Sequence, residues 1–178
     1  KVNNVIDALR AVSNLPTSHS PPCWLVDDVD LEPNELLACK TGLLHIPTRQ
    51  LIPSTPAFFT LNGLGFDYAP AAPDPEHWFR FLGDLLPDHQ ESEQTLQEWI
   101  GYLLTPQTHL QKIAMLVGPK RSGKGTIGRV IRRLLGDQNV CGPTLGNMGK
   151  QFGLETLIGR SVAIIADARI SGRSDSAV

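Results

Sequence analysis

The stretch IAMLVGPKRSGKGTIGRVIRRLLG, residues 113–136, decides how the chain is read. Its first five residues form an unbroken apolar run, the length of a buried parallel strand. GPKRSGK, residues 118–124, then fits a G-x-x-x-x-G-K loop. Beyond it Ile127, Val130, Ile131, Leu134 and Leu135 recur on one helical face, and Gly136 stops the pattern. Strand, glycine loop and helix follow in the order a phosphate cradle needs.

The residue types suit that chemistry. Gly118 and Gly123 let the backbone turn tightly, so that successive N–H groups converge on oxygen anions. The start of the following helix adds the positive end of its dipole. Lys124 brings a mobile ammonium to the outer phosphates. The binding candidates are therefore Gly118, Pro119, Lys120, Arg121, Ser122, Gly123, Lys124, Gly125 and Thr126, with ATP as the ligand. Position 125 departs from the usual motif, which keeps Ser or Thr there to place a hydroxyl on Mg²⁺. Here the hydroxyl is displaced to Thr126. Either Thr126 touches a phosphate while water completes the metal's shell, or the loop shifts so that Thr126 reaches the metal.

SVAIIAD, residues 161–167, has the form of a second sheet strand ending in an acid, the Walker B pattern. Asp167 at its end is the other Mg²⁺ candidate, and Lys124 and Asp167 are the two catalytic candidates. Ala168 stands where many ATPases keep a Glu that orients the attacking water, so the hydrolytic base is open.

Moving outward, the charge divides along the chain. Residues 1–111 carry 5 Lys+Arg against 14 Asp+Glu, and residues 112–178 carry 11 against 4. A net −9 followed by +7 implies two modules, the second facing phosphates. Cys23, Cys39 and Cys141 are far apart and form no CxxC pair, so they read as thiols in a reducing compartment, not zinc ligands. His77 and His89 flank a helical segment and suggest no metal or catalytic role. At 41% hydrophobic and 19% charged the composition is that of a soluble globular chain. No apolar run reaches the ~18 residues that span a bilayer, and no secretory signal opens the chain. It begins at Lys1 and not at Met, as a piece of a longer protein would.

Ahead of the loop, Val2, Val5, Ile6, Leu9 and Val12 predict an amphipathic helix over residues 2–12. Three prolines break residues 13–23 into a linker. ELLACKTGLLHIPTRQLIP, residues 35–53, predicts short strands with turns at Lys40-Thr41-Gly42 and Pro47-Thr48-Arg49. A helix is expected from Asp74-Pro75-Glu76, Asp74 capping it and Trp78, Phe81, Leu82 and Leu85 on its inner face. Another over residues 92–104 carries Leu96, Trp99, Ile100 and Leu103, and Thr105-Pro106 ends it. Both aromatic stripes read as core. Arg129, Arg132 and Arg133 read as a solvated helix face.

At three ordered blocks the chain resembles the phage and plasmid primase–helicases, including poxvirus-type enzymes, whose ATPase is of the superfamily-three helicase type. The blocks are FDYAPAAPDPEHWFRFL (66–82), LQEWIGYLLTPQTHLQKIAMLVGPKRSGKGTI (96–127) and FGLETLIGRSVAIIADAR (152–169), within a resemblance covering residues 34–178. The resemblance implies an ATP-driven motor that acts on DNA in replication and self-associates as a ring, commonly a hexamer. It implies action in the cytoplasm of a host cell, as a viral or mobile-element protein. It carries Gly118 to Thr126 over as the ATP loop and Asp167 as the Walker B acid. The Asn sensor and arginine finger of such motors, by the same resemblance, lie further along than Val178.

The expected fold is α/β: a truncated P-loop NTPase parallel sheet of AAA+-like type in residues 112–178, preceded in residues 1–111 by a mainly helical module with a small β element. Two other functions fit the loop. One is a nucleotide or small-molecule kinase, which usually carries this loop near its N-terminus. The other is a non-catalytic, nucleotide-gated assembly module, consistent with Ala168.

Overall fold

The computed structural model describes residues 2–16, 18–87 and 89–166. Helix α1, Val2–Val12, forms where the apolar spacing puts it. The Ser13 N–H and hydroxyl both donate to the Leu9 carbonyl and close its last turn. Val2, Val5, Ile6 and Leu9 remain exposed on its surface.

The β element is a meander of β2 (Leu36–Cys39), β3 (Gly42–His45) and β4 (Gln50–Ile52), all antiparallel. Leu37 pairs with Leu44, and Ala38 with Leu43. Period-two alternation divides these residues between two apolar clusters. Leu36 and Leu43 pack with Phe58, Trp24 and Ile52, on the side where β1 (Cys23–Trp24) pairs antiparallel with β5 (Phe58–Phe59). Leu37 and Cys39 point to the opposite face, toward the helices. A strand buried on both faces reads as a continuous apolar run, as LLAC does. Gly42 closes the hairpin where an added Cβ would strike the Ile52 carbonyl.

Helix α2, Glu76–Leu85, starts later than the expected Asp74 cap. Pro75 is the N-cap residue, and its carbonyl accepts from the Trp78 and Phe79 N–H groups. Asp74 precedes a proline and is biased toward extended backbone, so only its main-chain carbonyl takes part, accepting from Glu76 N–H. Helix α3, Gln90–Leu104, stops at Thr105, whose N–H and hydroxyl both donate to the Tyr102 carbonyl just before Pro106. Helix α4, Lys124–Leu135, ends at Gly136, whose φ of 85° a residue with a Cβ adopts poorly.

One apolar cluster gathers these elements. Leu82 of α2, fully buried, meets Leu96 of α3, Ile127, Ile131 and Leu135 of α4, Val140, and Leu37, Cys39 and Leu64. Side chains from both sides of residue 111 thus share a core. Asn139 adds a buried polar tie: its amide donates to the Gly63 carbonyl at 3.0 Å and to the Leu135 carbonyl at 2.8 Å.

The strand expected over residues 113–117 is not formed. Ile113, Met115 and Val117 are 93%, 78% and 85% exposed. An extended run needs a neighbouring ladder to take up its N–H and C=O groups, and no described strand lies beside it. The parallel pairing that does form joins β6 (Val140–Cys141) to β7 (Val162–Ala163), with the short helix α5 (Leu145–Met148) in the crossover. Strand β7 begins where the SVAIIAD run places it; Asp167 at the end of that run lies outside the described residues. No helix among the described residues is long and apolar enough to cross a membrane.

Candidate functional site

Residues 118–126 form a tight loop running into α4. Arg121 and Gly123 adopt φ values of 63° and 73°. These two left-handed residues turn the chain back so that α4 starts directly at Lys124. Gly123 is the N-cap, and its carbonyl accepts from Thr126 and Ile127 N–H at 2.8 and 3.1 Å. The Lys124 and Gly125 amides stand ahead of these first intrahelical bonds and present the positive end of the helix at the loop.

Position 123 must be glycine for two reasons. Its φ is left-handed, and an added Cβ would lie 3.1–3.2 Å from Phe81 and Leu85 of α2. The loop is therefore seated on α2.

Lys124 folds its ammonium back over the loop. Nζ donates to the Gly118 carbonyl at 2.8 Å, the Pro119 carbonyl at 2.7 Å and Ser122 Oγ at 3.1 Å. The three donors of a lysine are thus satisfied at the mouth of the loop. Gly118 admits Ser122 closely, since a Cβ there would stand 2.9 Å from Ser122 Oγ. Lys120 and Arg121 are exposed on the loop, and Thr126 is half-buried on the first turn of α4.

Beside the loop opens a cavity of about 550 Å³, lined by Phe81, Asp84 and Leu85 of α2 and by Arg121, Ser122, Gly123, Gly125, Thr126 and Arg129. Trp78 stacks on Phe81 with ring centroids 5.6 Å apart, supporting the aromatic wall. Arg129 Nη2 donates to Thr126 Oγ1 at 2.9 Å. A Cβ added at Gly125 would stand 3.7 Å from Arg129 Nη1. The guanidinium therefore spans positions 125 and 126.

Sequence periodicity assigned Phe81 to the core and Arg129 to a solvated face. Phe81 does both jobs, packing at the core's edge and walling the cavity. Arg129 is exposed, as expected, yet it reaches over the loop. Asp84 carried no signal of its own. Phe81 and Asp84 are brought to the loop by packing between elements more than 30 residues apart, whereas Arg129 stands on the helix the loop opens.

Of the two Mg²⁺ candidates, Thr126 and Asp167, only Thr126 falls within the described residues. The Thr126 hydroxyl accepts from the Arg129 guanidinium, and position 125 has no side chain. Among the described residues no cluster of three His, Cys, Asp or Glu side chains could hold a metal. Cys39 is buried against the helices, and desolvation pushes its thiol pKa up, which disfavours the nucleophilic thiolate.

Residues 1–87 match the family model described as D5 N terminal like. That model describes the N-terminal domain of D5-like phage and viral primase–helicases, and the match supports a relation to that family. It ends after α2 and before the 118–126 loop, so it includes the helix on which the loop is seated. No curated protein matches the chain.

Proposed function

We propose that the chain binds ATP at Gly118–Thr126 and supplies the nucleotide-binding part of a replicative DNA helicase of the primase–helicase type. The observation that carries this reading is the seating of Gly123 on Phe81 and Leu85. A phosphate-loop sequence packs directly against a helix of the segment that matches the primase–helicase model. In this reading the loop amides and the start of α4 receive the phosphates. Lys124 exchanges its carbonyl partners for phosphate oxygens, a charge-assisted and therefore stronger set of bonds. Asp167 would face any metal that arrives with the nucleotide, from the end of the run that begins with β7. The fold this reading requires is a P-loop NTPase of AAA+-like type. DNA and further copies of the chain, in a hexameric ring, are its partners.

Lys124→Ala tests the site. Removing one hydrogen bond to a charged group is worth about 1.5–3 kcal/mol, so ATP affinity should fall about 10- to 150-fold. Equal affinity in wild type and variant rejects this loop as the site. Hydrolysis stimulated by single-stranded DNA, in the chain extended past Val178, tests the motor. Phosphoryl transfer to a small acceptor instead would identify a kinase.

A further inference from the structure

The departure at Gly125 coincides with an unusual placement of charge. A loop hydroxyl at this position is the group that normally meets Mg²⁺. Here the space over Gly125 is faced by Arg129 Nη1, while Nη2 of the same guanidinium holds the hydroxyl of Thr126. A divalent cation brought to Thr126 would lie against a permanent positive charge. An anion would not. A guanidinium carries five N–H donors in a fixed fork that suits phosphate, and one engaged with Thr126 leaves the others to the cavity. Arg121 lines the same cavity and adds to its positive side, while Asp84 is the one carboxylate among its described lining residues.

We propose that Arg129 is a phosphate-binding residue whose guanidinium stands in for the missing loop hydroxyl and its metal, so that the nucleotide is held largely without Mg²⁺. The ligand class is a nucleoside triphosphate, its outer phosphates bridging Lys124 and Arg129. This rests on the assignment of the nucleotide to the 118–126 loop. Glycine at 125 and arginine at 129 then form one device: the space where a hydroxyl-bearing side chain at 125 would stand is faced by the guanidinium, 3.7 Å from an added Cβ.

The test is ATP affinity of the 178-residue chain, measured in excess EDTA and in millimolar Mg²⁺. The variants are Arg129→Ala, Arg129→Gln and Lys124→Ala. Wild type should bind metal-free ATP within about threefold of its Mg²⁺ complex. Arg129→Ala should lose about tenfold or more of the metal-free affinity, and less with Mg²⁺, which then supplies the lost charge. Arg129→Gln keeps most of the length and removes the charge, and should behave likewise. Arg129 is exposed, so the unfolding temperature of both variants should equal that of wild type. Wild-type binding that requires Mg²⁺ overturns the proposal. So does unchanged metal-free affinity in Arg129→Ala and Arg129→Gln while Lys124→Ala binds weakly, a result that leaves the loop assignment standing. If wild type binds ATP under neither condition, both fall.

Discussion

Asn139→Ala is the sharpest probe of how the two halves of the chain are joined. Asn139 is 2% exposed, and its amide bridges the Gly63 carbonyl and the Leu135 carbonyl at the end of α4. The substitution removes two hydrogen bonds, each worth about 0.5–1.5 kcal/mol net. Gly63 keeps a second donor, Gln138 Nε2 at 3.1 Å. Leu135, past the reach of intrahelical bonding, keeps no side-chain donor and is left desolvated, at about 1–3 kcal/mol. With the Gly63 bond at about 0.5–1.5 kcal/mol and the Leu135 carbonyl at about 1–3, the total comes to about 1.5–4.5 kcal/mol, a large part of the ~5–15 kcal/mol that holds a domain folded. Urea unfolding followed by the fluorescence of Trp24, Trp78 and Trp99 measures it. The unfolding temperature should fall by roughly 3–18 °C, at ~2–4 °C per kcal/mol for a chain of this size. Gln138→Ala is the control, since Gln138 is exposed and shares its acceptor; it should lose less than about 1 kcal/mol. Asn139→Asp should be at least as severe as alanine, because a carboxylate would face two carbonyl oxygens. An Asn139→Ala variant within about 0.5 kcal/mol of wild type would refute the reasoning, as that is the range of a neutral surface change.

Two glycine substitutions should move in opposite directions. Gly101→Ala, in the body of α3 with open space around it, should stabilise the chain by about 0.5–1 kcal/mol. Gly123→Ala meets Phe81 and Leu85 at a left-handed φ, and should both destabilise the chain and weaken ATP binding; an unchanged affinity would show that the loop does not need its seat on α2. In thiol labelling of the native chain at neutral pH, Cys39 should react last, after the half-buried Cys23 and Cys141. Desolvation raises the folded-state pKa of Cys39, so its contribution to stability is complete below the unfolded value and is lost as pH rises through the folded one. Stability of wild type relative to Cys39→Ala should therefore decline above about pH 9 and not in acid. A decline in acid alone would contradict the burial of this thiol.

Local regularities were legible from the chain alone. The 3.6-residue spacing of Leu82, Leu96, Ile127, Ile131 and Leu135 locates three helices and the faces they bury. Alternation through LLAC and GLLH, with a glycine at the turn, locates the hairpin. The glycine–lysine spacing locates the loop, because backbone freedom at Gly123 and the reach of one ammonium are short-range properties. The strand expected from IAMLV shows where such reasoning stops. Apolar composition states what a segment would bury, but pairing depends on a neighbour's backbone, and that is a tertiary fact.

The same distinction separates the parts of the site. Lys124, Gly123 and Thr126 belong to one contiguous motif, so the sequence by itself determined them. Phe81 and Asp84 reach the loop only because Leu82, on the same helix, is buried in the shared core and thereby fixes the rotation of α2. Arg129 looks like any solvated arginine in the sequence; the structure turns its guanidinium back to the Thr126 hydroxyl. Asn139 follows no periodic pattern, and its partner carbonyl at Gly63 lies 76 residues away. Contacts between nearby residues are set by backbone geometry and can be read in one dimension. Contacts across the core exist only once burial of the apolar side chains has brought distant segments together.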